Sequence, residues 1–191
     1  MTTIILFNGP PNSGKDVAAE HLSEKYGVFH SSFKTHLFDV TQTIYNIDPY
    51  VWDHWYSRDG KEIPREELGG LSCRQALIFV SEKVIKPAFG KDFWGKHEAQ
   101  WLSKYMEGDE VVVFSDAGFD EEVIPLVKTF GKQNVYIIKI EREGCSYKGD
   151  SRNYLSDGLV SEENYYTISN DGTLEQFKEN VEKLYNYITS Q

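Results

Sequence analysis

The sequence predicts an α/β fold of three layers, α/β/α, with a five-stranded, mostly parallel sheet covered by helices on both faces. Three observations point there. Short apolar runs alternate with longer segments of helical period along the whole chain. The runs at 3–8, 111–115 and 135–140 are apolar almost throughout, as strands buried on both faces are. A Gly-rich turn follows the first run directly and opens a helical segment. With 191 residues, 40% of them hydrophobic, the chain is sized for a single domain, 1–191, with one substantial core.

The elements follow in order. Residues 3–8 form a strand, and residues 15–26 a helix with Val17, Ala18, His21 and Leu22 on one side. A second strand is expected at 28–32 and a second helix at 33–46. The stretch 47–71 holds Pro49, Gly60, Pro64 and Gly69-Gly70, so it reads as irregular, with one short helical turn. Ser72-Cys-Arg-Gln75 has capping-box spacing and starts a helix that Pro87 and Gly90 end. Another helix spans 92–106. A strand at 111–115, a helix near 119–130 and a strand at 135–140 come next, then a polar segment from Glu141 to Glu163 and a short strand at 165–169. Thr173-Leu-Glu-Gln176 caps the last helix, on which Leu174, Phe177, Val181, Leu184 and Ile188 recur at steps of three and four.

Charge narrows the function classes. The net charge is −10, and it is uneven: residues 1–105 carry 12 basic and 13 acidic side chains, residues 106–191 carry 8 and 17. A broad basic face for nucleic acid is not expected from that balance. Pockets for small anionic ligands need only a few cations and backbone amides. No apolar run approaches the length of a membrane span. Two distant cysteines, Cys73 and Cys145, make neither a disulfide framework nor a zinc site, and a cytoplasmic location is the expectation.

The chemistry concentrates in Gly9-Pro-Pro-Asn12-Ser13-Gly14-Lys15-Asp16, which matches the glycine-rich phosphate loop except at its last position. The glycines let successive N–H groups face one anion, the following helix adds its positive end, and Lys15 reaches the β- and γ-phosphates. Residues 9 and 12–17 (Gly9, Asn12, Ser13, Gly14, Lys15, Asp16, Val17) are therefore the expected nucleotide contacts. Asp16 stands where Ser or Thr usually supplies a hydroxyl to Mg²⁺. It binds the metal directly or through water, or simply favours the first helical turn. Asp116, at the carboxyl end of the 111–115 strand, is the candidate for holding Mg²⁺ or its water, or for deprotonating a hydroxyl acceptor; its alternative is an N-cap for the helix near 119.

A Gly-Lys-Asp loop of this kind resembles phage-type deoxynucleoside monophosphate kinases, P-loop enzymes of the adenylate-kinase-like class. The similarity continues, in order, through Tyr56-Ser-Arg58-Asp-Gly-Lys61-Glu62-Ile-Pro64, Leu71-Ser-Cys-Arg74-Gln-Ala-Leu77, Phe89-Gly-Lys-Asp-Phe-Trp94 and Thr167-Ile-Ser-Asn170-Asp171-Gly172-Thr173. The resemblance implies ATP and Mg²⁺ as cofactors, a helical acceptor-binding insertion at 47–106 and a lid at 141–163. It implies that Arg142 packs on adenine near the Asn170–Gly172 turn and that Arg152 serves the transferred phosphate as a catalytic residue. Phe33, Arg58, Lys61, Arg74 and Trp94 become acceptor-side residues, with ordinary salt bridging the other account of the charged ones. Trp52, Trp55, Tyr56, Phe93, Trp94 and Trp101 together would offer one or two rings to a base and the rest to the core.

Two segments depart from the family. Ser115-Asp116-Ala117-Gly118-Phe119 lacks the arginine that follows two residues after the aspartate, and Phe79-Val80-Ser81-Glu82-Lys83 replaces a Gly-Thr-acid sequence. Both bear on the acceptor. The expected reaction converts a deoxynucleoside monophosphate and ATP to the diphosphate and ADP. The alternative is a related phage kinase that phosphorylates 5-hydroxymethyluracil within DNA, and a third reading is an ATP-binding module without transfer. The missing arginine favours a hydroxyl acceptor and the acidic charge disfavours DNA. The deoxynucleotide is the expected partner, no membrane is, and monomer and homodimer both stay open.

Overall fold

The computed structural model describes residues 1–57, 59–106 and 108–191. Its strands are β1 (Thr3–Asn8), β2 (Phe29–Ser31), β3 (Val111–Phe114), β4 (Val135–Glu141) and β5 (Tyr165–Ser169). Its α-helices are α1 (Lys15–Tyr26), α2 (Lys34–Tyr45), α3 (Pro49–Trp55), α4 (Cys73–Phe79), α5 (Lys86–Phe89), α6 (Phe93–Tyr105), α7 (Asp120–Phe130) and α8 (Leu174–Thr189). The chain divides into two compact units: Met1–Ser32 with Gly95–Gln191, and Phe33–Trp94.

In the first unit the five strands form one sheet in the order β2-β3-β1-β4-β5, and every pairing is parallel. β1 is central, with Ile4 opposite Val112 on one side and Val135 on the other. Strand side chains alternate between faces. Ile5, Phe7, Val113, Tyr136, Ile138 and Ile140 pack against Ala18, Ala19 and Leu22 of α1 and Phe177, Val181, Tyr185 and Ile188 of α8. Ile4, Leu6, Val112, Phe114 and Ile137 point the other way and are also fully buried. Both faces are thus covered, which explains why these strands read as unbroken apolar runs.

The last helix departs slightly from its predicted stripe. Tyr185 joins the buried face, while Leu174, at its first position, is exposed. Both halves of the Thr173–Gln176 capping box form. Glu182 ties α8 to α1, accepting from Lys25 at 2.6 Å and pairing with His21 at 2.7 Å. The hydrogen bonds from Lys25 and then His21 hold its carboxyl below the ordinary value. Truncating Phe177, 1% exposed at the centre of this cluster, is expected to cost about 3–5 kcal/mol. Thermal unfolding of Phe177→Ala measures it.

The second unit is more helical than expected. Asp48 accepts from the Tyr50 N–H and Pro49 takes the first helical position, so 49–55 forms α3 rather than a single turn. Proline there read as a breaker, although its missing N–H costs nothing at a helix start. Pro87 does not end its helix either. Residues Val80–Ile85 widen into a π-helical turn between α4 and α5, and the chain continues to Phe89 before Gly90 stops it. The widened turn re-registers the backbone carbonyls just where the proline ring would strike one in α geometry. Leu37, Trp52, Leu68, Ala76, Leu77 and Val80 are among the residues of this unit's own core. No helix among the described residues is long and apolar enough to cross a membrane.

Candidate active site

The loop after β1 is the best-defined polar feature of the first unit. Strand β1 delivers Gly9 to the carboxyl edge of the sheet, and α1 begins at Lys15. Gly14, the N-cap of α1, has φ 107° and no side chain to cap the helix, so its first N–H groups remain available to an anion. A Cβ at Gly14 would also lie 2.5 Å from Asn170 Nδ2, and one at Gly9 would lie 2.6 Å from Ser13 Oγ. Both glycines are needed for space, and Gly14 also for its left-handed backbone.

Three side chains hold the carbonyls of this loop. Lys15 Nζ donates to Pro10 O at 2.7 Å, Arg142 Nη1 to Asn12 O at 3.0 Å and Asn170 Nδ2 to Ser13 O at 2.8 Å. Arg142 is thus a clasp on the loop. Asn170 is itself fixed by its N–H on Glu141 O. Next to it, Asp171 accepts from the Glu143 N–H and the Ser169 hydroxyl, which hold its carboxyl below the ordinary value in that order. Gly172 precedes the α8 capping box, beside Gln176. Val17 faces the α1–α8 core. Losing the Asn170 bond removes about 1 kcal/mol of loop order, so Asn170→Ala is expected to weaken ATP binding about fivefold by calorimetric titration.

The donor set fits a polyphosphate. Ser13 Oγ is fully buried in the loop with no hydrogen-bond partner, an orphaned donor that a phosphate oxygen would satisfy. For Mg²⁺ the candidates are oxygen donors, as that ion prefers. Asp16 is exposed in the first turn of α1, and Asp116 is 6% exposed beyond the end of β3. Among the described residues no three His, Cys, Asp or Glu side chains gather, so any ion held here would lean on nucleotide oxygens and water.

Asp116 does not cap α7, whose N-cap is Phe119 without a side-chain bond. Its Oδ2 accepts from Ser32 Oγ at 2.7 Å, at the end of the neighbouring strand β2. The connections leaving β1 and β3 run to opposite sides of the sheet, which is where α/β proteins place ligands. Arg152 comes to the same turn. Its Cβ, Cγ and Cδ would lie 2.7–2.9 Å from a Cβ on Gly118, and its guanidinium forks onto Asp150 with bonds of 3.0 and 2.6 Å. That hydrogen bond raises the guanidinium pKa, with Asp116 adding a smaller pull.

Asn8, Ser32 and Asp150 escaped the sequence reading. The one signal was Asn8 itself, a polar residue closing an otherwise apolar strand. The buried Asn8 carboxamide shares its two N–H hydrogens among Ala117 O, Tyr147 Oη and Asn153 O and accepts from the Leu155 N–H. Burial pushes the Tyr147 phenol far above its ordinary value, so it stays neutral beside that amide.

The acceptor-side expectations fare differently. Trp94 is corrected: at 2% exposure it belongs to the core of the second unit, and its indole N–H donates to Ser81 Oγ at 3.0 Å. No ring face is left for a base. Phe33, 5% exposed at the start of α2, is likewise covered. Arg74 Nε lies 2.7 Å from Glu62 Oε1, an ordinary ion pair, and the Lys61 carbonyl accepts from the Arg74 N–H. Arg58 lies outside the described residues.

Sequence comparison finds no matching protein family and no matching curated protein. Comparison of structures does. The chain is similar to a dephospho-CoA kinase from Campylobacter jejuni, with 14% identity over 100% of this chain and 98% of that one and a TM-score of 0.51. A shikimate kinase from Acinetobacter baumannii in complex with shikimate also matches, at 15% identity over 100% and 94% and TM-score 0.49. So does a gluconokinase from Sinorhizobium meliloti 1021, at 11% over 97% of each and 0.46. The first of these carries the fold argument: the five parallel strands and surrounding helices are the P-loop kinase α/β fold.

Proposed function

We propose that the protein is an ATP-dependent phosphotransferase whose acceptor is a free deoxynucleoside monophosphate. One observation carries the donor side: the loop after β1 has the carbonyls of Pro10, Asn12 and Ser13 tied away by side chains while the buried Ser13 hydroxyl waits for an acceptor. ATP supplies the phosphoryl group, and a bound Mg²⁺ would supply positive charge to offset that of the phosphates. Lys15 moves from the Pro10 carbonyl to the phosphates. Asp16 and Asp116 are the carboxylates that would hold the ion, and Ser32 Oγ orients the Asp116 carboxylate. Arg152 spreads positive charge over the transferred group. An acceptor phosphate oxygen forms the new P–O bond as the bond to ADP breaks, and no proton needs to leave that nucleophile.

A second reading has its own support. Gly118 stands where the resembled family has an arginine, which suits a hydroxyl acceptor such as 5-hydroxymethyluracil in DNA, with Asp116 taking its proton. Transfer of labelled γ-phosphate to two parallel pools separates the two. One pool holds free deoxynucleoside monophosphates and the other duplex DNA carrying 5-hydroxymethyluracil. We expect label in free diphosphates; label retained only in DNA would replace the first reading with the second.

A further inference from the structure

We propose that Asn8 is a positioning residue that fixes Arg152 against the Asp116–Gly118 turn before any nucleotide arrives. The inference rests on the phosphoryl-transfer reading and names a residue that reading does not need. Asn8 is the last residue of β1 and adjoins Gly9, so its side chain sits at the root of the phosphate loop. It is 0% exposed in a sheet whose other central positions are apolar. A buried amide is tolerable only when its groups are satisfied, and here they all are. The two hydrogens of Nδ2 are shared among Ala117 O at 3.0 Å, Tyr147 Oη at 3.1 Å and Asn153 O at 3.2 Å, and Oδ1 accepts from the Leu155 N–H at 2.8 Å.

These partners bracket both functional residues. Ala117 follows Asp116, and Asn153 follows Arg152. The Asn153 N–H closes the bracket by donating to Gly118 O at 3.0 Å. The stem of Arg152 then lies across Gly118, where any larger residue would meet it at under 3 Å. Asp150 completes the arrangement by taking the guanidinium and the Arg152 N–H. Contacts within the chain alone therefore hold the arginine beside the turn. One side chain sets the distance between the phosphate loop, the carboxylate and the arginine, and transfer rates respond steeply to such distances.

The test is a double-mutant cycle. Asn8→Asp keeps the size and the acceptor for Leu155 but removes the donors. It is expected to lower kcat about 10- to 100-fold, with the KM for ATP little changed. In an Arg152→Ala background the same change is expected to cost less than about twofold, because no arginine remains to be misplaced. Gly118→Ala, which pushes the Arg152 stem from the other side, should repeat both results if Asn8→Asp folds poorly. Losses that multiply in the double variants overturn the proposal. Hydrogen exchange of the nucleotide-free wild-type protein gives a readout without activity. The amides of Arg152 and Asn153 are expected to be protected, and to be released by Asn8→Asp while Leu155, β1 and β4 stay protected. Free exchange at Arg152 and Asn153 until ATP is added overturns the inference. A wild-type protein that transfers no phosphate but keeps this protection pattern sinks the kinase reading alone.

Discussion

Lys15→Ala is expected to lower phosphoryl transfer by about 10²–10³-fold, the scale of removing one preorganised donor aimed at developing charge. The side chain is 7% exposed and its ammonium rests on the Pro10 carbonyl, inside the loop it serves. The bond to the Pro10 carbonyl keeps the stem of this buried lysine in the loop. The variant removes one of two hydrogen bonds on Pro10 O, which keeps that from the Ser13 N–H, at about 1 kcal/mol, too little to unfold the sheet. Steady-state transfer assays paired with thermal unfolding check both halves. Near-normal transfer would remove Lys15 from the site.

Asp116→Asn divides the two acceptor readings. The amide keeps the shape and can still accept from Ser32 Oγ, so the turn is expected to stay in place. What is lost is charge and basicity. With a free monophosphate the nucleophile is already ionised, and the loss is expected to be about 10- to 100-fold, the worth of one charge-assisted bond to metal-bound water. With a hydroxyl acceptor a further 10²–10⁴-fold, on the order of general-base catalysis, should disappear. Initial rates of the variant with each acceptor report the difference. Equal losses assign Asp116 to the metal side alone.

Most of the fold was legible because its signals are local. Apolar runs bounded by turns marked the buried strands, and the two capping boxes at Ser72 and Thr173 marked helix starts to the residue. The phosphate loop was legible for the same reason: glycine, lysine and a strand-to-helix change lie within eight residues. What failed was long-range or ambiguous. Pro49 and Pro87 read as breakers, yet one starts a helix and the other follows a π turn, and only the hydrogen-bond register distinguishes these uses. Trp94 looked like a stacking ring because aromatic residues announce size and not exposure. Arg142 and Asn170 reach the loop from 130 and 157 residues away, and Asn8 reaches Leu155 across 147. No spacing rule foretells such contacts; they follow from β1 and β4 lying side by side.

The most direct measurement is phosphorus NMR of the purified protein with ATP, Mg²⁺ and a mixture of deoxynucleoside monophosphates. The account predicts that the ATP γ-signal declines as the β-signals of ADP and of a deoxynucleoside diphosphate grow in equal amounts, with no inorganic phosphate beyond background. ATP that is bound but unchanged, or converted to ADP and inorganic phosphate at a rate no acceptor alters, would contradict it.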